Sequence, residues 1–179
     1  MPHGKDLFGH WSSTQSALIV PAPGDSNKYY VFTTYNEGYI DPPNKGLNYS
    51  IVDMCLNGGK GDVTAKNVHL LDNSTEKLTG TPHPNSRDFW IVAHTLNTSD
   101  WYVYLLTDSG LAPPIISTIG DRHYSYFPFN ATAAGYLKFS PNGKKMISVS
   151  QHSCKELYNF DNHLGTISHV IPLTCNPAG

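Results

Sequence analysis

Apolar and polar residues alternate along this chain over short stretches, and the three-to-four-residue spacing of an amphipathic helix is nearly absent. Two such stretches, KYYVFTT (28–34) and FWIVAH (89–94), are rich in the β-branched and aromatic residues that strands favour. The pattern predicts three groups of four strands: 16–20, 28–34, 47–53 and 63–71; 77–81, 89–94, 101–107 and 114–119; and 135–139, 145–150, 156–160 and 166–173.

The three groups repeat one order of turns. A polar turn separates the first and second strands of each group, as in PGDSN (23–27) and SPNG (140–143), and a second turn follows the third strand. Val31, Ile91 and Met146 occupy equivalent positions, so the repeat is 60 and then 55 residues long. Common propeller repeats have roughly 40–50 residues, so the connections here are extended.

This repetition predicts an all-β fold, a partial WD-like β-propeller of about three four-stranded antiparallel blades. We expect a single domain over residues 1–179, with blade one at about 16–71, blade two at about 77–119 and blade three at about 135–173. The central strands of each blade are buried on both faces in such a fold. The residues predicted to be mostly buried are Val31, Phe32, Ile51, Trp90, Ile91, Val92, Leu105, Leu137, Phe139, Met146 and Ile147.

Composition narrows the possible functions. The formal net charge is -2, and no basic stripe is visible, so a nucleic-acid partner is not expected. No apolar run approaches the ~20 residues of a membrane span, and the first residues lack the apolar core of a signal peptide. Of the three cysteines, Cys154 and Cys175 can pair only if neighbouring strands bring them together, and Cys55 then stays free.

Several long motifs carry a resemblance to a known group of proteins. The segments GHWSSTQSALIVPAPG, YYVFTTY, NYSIVDMCLNGGKGDVTAKNV, EKLTGTPHPNSRDFWIVAHT and GYLKFSPNGKKM resemble large secreted Bacteroidetes surface proteins of the gliding-motility-associated or type IX secretion cargo type. The resemblance implies a WD-like β-propeller and a secreted or cell-surface location. Those proteins have more blades and a C-terminal sorting domain, so this chain looks like a fragment of a longer protein.

Propeller geometry predicts where a functional site lies. Strands alternate in direction, so the connections between second and third strands lie at the same end of the blades as the connections between blades. The two longest connections, 35–46 and 120–134, both fall at this end, and binding residues concentrate in such loops.

Candidate chemical groups gather at the same end. Histidine acts as a general base near neutral pH, and carboxylates suit a hard cation such as Ca²⁺. The candidate catalytic residues are His94, His123 and His152. The candidate metal ligands are Glu37, Asp41 and Asp121. The competing interpretation is that all six are ordinary solvated loop residues.

Two classes of function remain open, and the sequence does not decide whether the chain is an enzyme. The first is a secreted or cell-surface module that binds a glycan or protein partner through the long-loop end. Its exposed aromatics, on which a sugar can stack, are expected to include Trp11, Tyr39, Tyr124 and Tyr126. The second is a calcium-dependent hydrolase of lactones or esters, by analogy with six-bladed propeller lactonases. A cation held by the candidate ligands favours the hydrolase, and an aromatic-lined surface without one favours the binding module.

Three blades leave two open flanks, which argues for association. Known propellers close with ~4–8 blades, and two copies of this chain supply six. We therefore expect a homodimer that completes a six-bladed propeller, with blade three of each chain packed on blade one of the other. The alternative is an open arc of three blades with a loop folded over one flank.

Overall fold

A computed structural model describes residues 1–35, 46–124, 132–150 and 155–174. Within these ranges, thirteen strands form three antiparallel sheets. Sheet one contains β1 (Ala17–Ala22), β2 (Asp25–Thr34), β3 (Leu47–Asp53) and β4 (Asp62–Leu71). Sheet two contains β5 (Ser74–Pro82), β6 (Phe89–Thr95), β7 (Asp100–Thr107), β8 (Gly110–Leu111) and β9 (Ile115–Thr118). Sheet three contains β10 (Gly135–Phe139), β11 (Lys145–Ser150), β12 (Lys155–Asp161) and β13 (Thr166–Thr174).

The predicted grouping of the strands is confirmed, because each sheet is a meander of consecutive strands. In sheet two the fourth position is shared, since both the two-residue β8 and the longer β9 pair with β7. Helix is limited, in the described part of the chain, to the four-residue α1 (Leu56–Gly59). Asn57 and Gly58 within it have positive φ angles, so this segment is a turn between β3 and β4 rather than a packed helix. No helix of the described residues is long and apolar enough to cross a membrane.

The first strands of the sheets lie side by side at the centre of the molecule. β5 contacts β1 and β2 on one side and β10 on the other. Enclosed in this way, β5 is buried continuously from Ser74 to Thr79, including its charged residues. Gln15, just before β1, joins the neighbouring edges of β5 and β10: its Oε1 accepts hydrogen bonds from the backbone N–H groups of Leu78 (3.3 Å) and Leu137 (2.7 Å).

Two apolar cores hold the sheets together. Between sheets one and two, Phe32, Leu47 and Leu78 pack with neighbours that include Ile91 and Tyr104. Between sheets two and three, the core residues are Trp90, Val92, Trp101, Val103, Leu137, Met146, Tyr158, Phe160 and Ile167. The alternation of β6 explains this arrangement, because successive side chains of the strand point to opposite cores.

The burial prediction is confirmed for six of eleven residues: Phe32, Trp90, Ile91, Val92, Leu137 and Met146 are buried. The other five are half-buried: Val31, Ile51, Leu105, Phe139 and Ile147. The alternation gives a reason for two of them. Val31 precedes the core residue Phe32, and Ile147 follows the core residue Met146. Because side chains alternate along a strand, Val31 and Ile147 face away from sheet two.

The N-terminal segment, residues 1–13, lies against the face of sheet one that is turned away from sheet two. The backbone N–H of Phe8 donates to Oδ1 of Asn67 at 2.8 Å, and Nδ2 of Asn67 donates to the carbonyl oxygen of Asp6 at 2.9 Å. Val52 and Val63, paired on that face, are each 8% exposed although neither belongs to the two cores. We name this segment the N-terminal strap.

Candidate functional site

The long-loop end of the sheets is the end at which β1, β5 and β10 begin and β2, β6 and β11 end. Four titratable side chains are buried there between sheets two and three: Lys77 of β5, His94 of β6, His123 of the connection after β9, and Glu156 of β12. We name them the buried polar cluster.

The two histidines are in contact. Their ring centroids are 4.0 Å apart, and the His94 ring lies 4.4 Å from the ring of Trp101, its cross-strand partner. His123 is placed by backbone pairing, since it forms a bridge with Leu96 and its carbonyl oxygen accepts from the N–H of Asn97 at 2.7 Å. Strand β6 of sheet two therefore positions His94, and the connection between sheets two and three positions His123.

A contact with a backbone carbonyl oxygen determines which ring nitrogen of His94 carries the proton. Its Nδ1 lies 2.6 Å from the carbonyl oxygen of Thr95. A carbonyl oxygen only accepts, so Nδ1 carries the proton and the neutral ring keeps a lone pair on Nε2. Burial, with the positive charge of Lys77 nearby, lowers the pKa of His94 to about 3. Burial, His94 and Lys77 also lower the pKa of His123 well below its ordinary value. Both rings are consequently neutral at physiological pH.

Lys77 is fully buried, and its ammonium group has few partners. Nζ donates to the carbonyl oxygen of Thr132 at 2.9 Å and to Oγ of Ser150 at 2.5 Å. Burial lowers the pKa of Lys77 to about 7, against the opposing attraction of Glu156 and Glu76. The neutral amine has two hydrogens, and it donates both to these two acceptors. The lone pair of Nζ therefore remains available to accept a proton.

Glu156 is held by two donors. The Tyr158 hydroxyl donates to its Oε2 at 2.6 Å, and the backbone N–H of Asp121 donates to its Oε1 at 3.1 Å. Burial raises the pKa of Glu156. Gly120 makes room for this arrangement, because a Cβ atom there would lie 2.0 Å from the Tyr158 hydroxyl oxygen.

Several polar atoms of this region lack a hydrogen-bond partner. In the described part of the chain, the buried side-chain atoms without one are Ser74 Oγ, His94 Nε2, His123 Nδ1 and Ser148 Oγ. Two of them belong to the cluster, Ser74 pairs with Thr95 next to His94, and Ser148 pairs with Glu156 across β11 and β12. Buried polar atoms are normally satisfied, so unused hydrogen-bonding capacity is concentrated at this end.

The predicted site residues are only partly brought together. His94 and His123 meet, although they are enclosed rather than exposed on loops as expected. Asp121 lies beside Glu156 through its backbone. Glu37, Asp41 and His152 lie outside the described residues, as do Cys154 and Cys175; Cys55 is a free, exposed thiol.

The described residues of the cluster do not suit calcium. Ca²⁺ takes oxygen ligands, whereas the unpaired atoms here include two imidazole nitrogens, and Lys77, a cation when protonated, lies close enough to lower the pKa of His94. Within the described ranges no three His, Cys, Asp or Glu side chains form a group that could hold a metal ion. Because two of the three predicted ligands lie outside those ranges, calcium binding stays a prediction.

Sequence reasoning overlooked Lys77 and Tyr158. A usable signal for Lys77 was its position in the first strand of the middle group, because a strand enclosed by sheets on both sides buries every side chain it carries. For Tyr158 the signal was alternation with Glu156 and Phe160, which places all three on the face toward sheet two.

Two clefts in the described surface lie away from the cluster. One lies between sheets one and two at the long-loop end and is lined by His69, Asp72 and Asp100 among others. Another, lined by Lys144, Asn159 and His163 among others, lies at the opposite end. The residues of the buried polar cluster line neither cleft and are almost inaccessible to solvent. Tyr124, which follows His123 in the chain, is partly exposed.

Comparisons with known proteins support the fold. No family model matches the chain, and no curated protein matches it. Among solved structures, a Bacteroides uniformis protein provisionally assigned as a 6-phosphogluconolactonase is 14% identical with a TM-score of 0.54, over 97% of this chain and 47% of that one. The Pseudomonas aeruginosa periplasmic gluconolactonase PpgL is 11% identical with a TM-score of 0.53, over 92% of this chain and 45% of that one.

The likeness establishes a propeller-like, all-β fold, in agreement with the sequence prediction. At these identities it carries no activity with it, and the chain spans about half the length of either structure. The comparisons lend no support to the finer resemblance to gliding-motility or type IX secretion proteins, nor to WD-type repeats.

Proposed function

We propose that this chain contributes the hydrolytic centre of a propeller-like lactonase that opens the ring of a sugar lactone. The observation that carries the proposal is the buried polar cluster, in which a lysine amine and two neutral imidazoles lie together with unused hydrogen-bonding capacity. The two solved lactonases support the substrate class through the shared fold alone.

The proposed reaction needs a base, a proton donor and a water molecule. Neutral Lys77 accepts a proton from the water whose oxygen bonds to the lactone carbonyl carbon. The bond from that carbon to the ring oxygen then breaks, and the ring oxygen takes a proton from the lysine. Lactone and water give the open hydroxy acid. His94 accepts a hydrogen bond from the water at its Nε2 and so orients it, while neutral His123 donates its ring N–H to the lactone carbonyl oxygen.

The enclosure of the cluster adds a requirement. Lys77, His94 and His123 are each at most 1% exposed, so a substrate reaches them only when this end of the sheets opens locally. Enclosure also excludes bulk water, which lowers the pKa of Lys77 to about 7, so that a substantial share of the amine is neutral near that pH, and strengthens polar contacts. Separately from the reaction, we propose that the chain is secreted or lies at the cell surface, as the sequence resemblance implies.

Lactone hydrolysis followed by proton release tests the proposal, with δ-gluconolactone and its 6-phosphate as substrates. We expect a rate above the spontaneous hydrolysis that rises with pH through about 7, because Lys77 acts as the neutral amine. Lys77→Met should abolish it, and His94→Ala should lower it at least ~100-fold.

The matched control is His163→Ala, which removes an exposed histidine at the opposite end of the sheets and should leave the rate unchanged. A rate equal to the uncatalysed one, or full activity in folded Lys77→Met, would refute the proposal.

Trp11 supports a second candidate, the binding of a glycan. It is 90% exposed at a turn closed by a hydrogen bond from the N–H of Ser13 to the carbonyl oxygen of His10 at 3.1 Å, and its ring lies 5.3 Å from the His10 ring. Trp90 and Trp101 are buried, so a sugar that stacks on Trp11 should change the exposed part of the tryptophan fluorescence. A Trp11→Ala variant should lose that response, and the absence of any response in the unchanged chain would exclude the candidate.

A further inference from the structure

The cleft between sheets one and two at the long-loop end is separate from the buried polar cluster and has a volume of about 420 Å³. Small-molecule sites are clefts of roughly 300–1,000 Å³, so this one is large enough for a ligand of monosaccharide size. One wall is the end of β4 and the turn after it, and the other is the end of β6 and the start of β7. We name it the long-loop cleft; its lining includes His69, Asp72, Asn73, Thr95, Asp100 and Tyr102.

Strand alternation places apolar and polar groups together in the long-loop cleft. Along β7, Tyr104, Tyr102 and Asp100 lie on the face toward sheet one. Tyr104 belongs to the core, Tyr102 is half-buried against that core, and Asp100 begins the strand. The buried Leu96 also lines the cleft. A ligand in the cleft therefore meets an aromatic ring and an aliphatic side chain as well as polar groups.

Two carboxylates give the long-loop cleft its charge. Asp72 Oδ1 lies 2.9 Å from His69 Nε2, and the Asp72 side chain is 85% exposed. Asp100 Oδ1 accepts a hydrogen bond from the Thr118 hydroxyl at 2.6 Å. Among the contacts of the described residues, the second carboxylate oxygen of each aspartate has no hydrogen bond or ion pair. None of the described residues that line the cleft is lysine or arginine, so the cleft offers acceptors and repels anions.

A buried hydroxyl without a partner lies beside the same cleft. Ser74 is fully buried, and its Oγ has no hydrogen-bond partner in the described part of the chain. Ser74 pairs with Thr95 across β5 and β6, so both side chains lie on the face of sheet two that is turned toward sheet one. Thr95 lines the cleft. Because buried polar groups are normally satisfied, this hydroxyl points to a ligand that forms hydrogen bonds.

We propose that the long-loop cleft binds a neutral sugar. Asp72, Asp100 and Ser74 bind its hydroxyl groups, since a carboxylate oxygen only accepts hydrogen bonds and a sugar hydroxyl donates them. The Tyr102 ring packs against its C–H bonds. A phosphorylated or carboxylated sugar carries charge of the same sign as the two aspartates and binds less well. The site is distinct from Trp11, which lies in the N-terminal strap, and it does not depend on the proposed lactonase reaction.

Titration of the full chain with D-glucose and with D-mannose, followed by NMR chemical shifts, tests the proposal. We expect saturable shifts at Thr95, Asp100 and Tyr102, with dissociation constants in the millimolar range that a ligand of this size reaches. D-glucose 6-phosphate should bind at least ~10-fold more weakly at low ionic strength, and the difference should narrow as salt screens the charges.

Two variants test the groups that bind the sugar. Asp100→Asn keeps an oxygen that accepts from the Thr118 hydroxyl but loses the charge, so it should weaken binding at least ~10-fold. Ser74→Ala should weaken binding ~3–10-fold through loss of one hydrogen bond. The sugar-free Ser74→Ala protein should melt at the same temperature or higher, because an unpaired buried hydroxyl does not stabilise the fold.

The matched control is Asp108→Asn, the same change at an exposed carboxylate at the other end of β7, which should leave binding unchanged. Four results would each overturn the proposal: no saturable response to either sugar, shifts confined to the residues around Trp11, tighter binding of D-glucose 6-phosphate than of D-glucose, or unchanged binding in folded Asp100→Asn or Ser74→Ala. A response to Ca²⁺ or Mg²⁺ added alone, with none to the sugars, would assign the two carboxylates to a cation and also overturn it.

Discussion

The two interfaces that join the three sheets are built differently. Sheets one and two meet through aliphatic and aromatic residues such as Phe32, Leu78 and Tyr104. Sheets two and three meet through Trp90, Trp101 and their neighbours, and then, toward the long-loop end, through the buried polar cluster. A chain of one repeated design has thus placed a buried lysine and two histidines at only one of two equivalent interfaces, whereas the buried Glu76 lies beside the start of β1, where it accepts a hydrogen bond from the N–H of Thr14.

The interface between sheets one and two mainly stabilises the fold, whereas the interface between sheets two and three also carries groups that can take part in a reaction. Burial of apolar area stabilises a fold by roughly 25 cal/mol per Å², and the first interface depends mainly on that contribution, with a hydrogen bond from the Tyr104 hydroxyl to the Leu70 carbonyl oxygen. A buried lysine and unpaired imidazole nitrogens oppose folding, so the second interface is less stable than an apolar version of the same shape. Local departures of this kind are expected at functional sites.

The largest expected effect is loss of an aromatic anchor in either interface. Trp90→Ala and Phe32→Ala should each lower the free energy of unfolding by ~3–5 kcal/mol, because both residues are at most 2% exposed and leave a cavity. Chemical denaturation measures this. Trp90→Phe is the milder control, since it keeps an aromatic ring but loses the hydrogen bond to the Asn162 carbonyl oxygen. A loss below ~1 kcal/mol for either alanine variant would contradict the two cores described.

The next-largest effect is a change of the free energy of unfolding with pH, which arises from Lys77 in the interface between sheets two and three. The pKa of Lys77 falls from 10.5 in the unfolded chain to about 7 in the folded protein, so between these values the unfolded state binds more protons and stability rises with pH. The contribution is at most ~1.4 kcal/mol per pH unit. Lys77→Met should remove this rise and be the more stable variant below pH 7. Identical pH dependence of the two unfolding curves would show that Lys77 is not enclosed.

A smaller effect is expected where the sheets meet centrally. Gln15→Ala should lower stability by ~1–3 kcal/mol, because the N–H groups of Leu78 and Leu137 lose their acceptor. Gln15→Glu is the matched control, since its carboxylate still accepts both bonds but no longer donates to the Leu137 carbonyl oxygen. Thermal melting ranks the variants, and an unchanged Gln15→Ala would rule out this link between β5 and β10.

The smallest effect is expected outside both interfaces. Arg87 and Asp108 approach to 3.4 Å at the surface of sheet two, with more than half of each side chain exposed. Exposed ion pairs contribute little, so Asp108→Asn should leave the unfolding curve within error. A clear destabilisation would mean that surface pairing, and not the two cores, holds the turns of sheet two.

Strand positions could be predicted closely because they depend on local pattern. The run from Tyr29 to Thr34 and the run from Phe89 to His94 alternate as half-buried strands do, and Pro, Gly, Asn and Asp mark the turns between runs. The extra strand β8 was not predicted, since two residues carry no periodicity. Of the candidate site, His94 and His123 were expected at the long-loop end, where they lie, but as surface groups, whereas both are buried; their catalytic role stays a prediction.

The sequence by itself determined the order of every strand except the two-residue β8, their antiparallel pairing and the end of the sheets at which His94 and His123 lie, because alternation and turn residues act over a few neighbours. Only the tertiary structure decided that Lys77 is enclosed beside them, that Tyr158 holds Glu156, and that the strap lies on sheet one. These features depend on contacts between residues tens of positions apart, whose burial no local pattern contains.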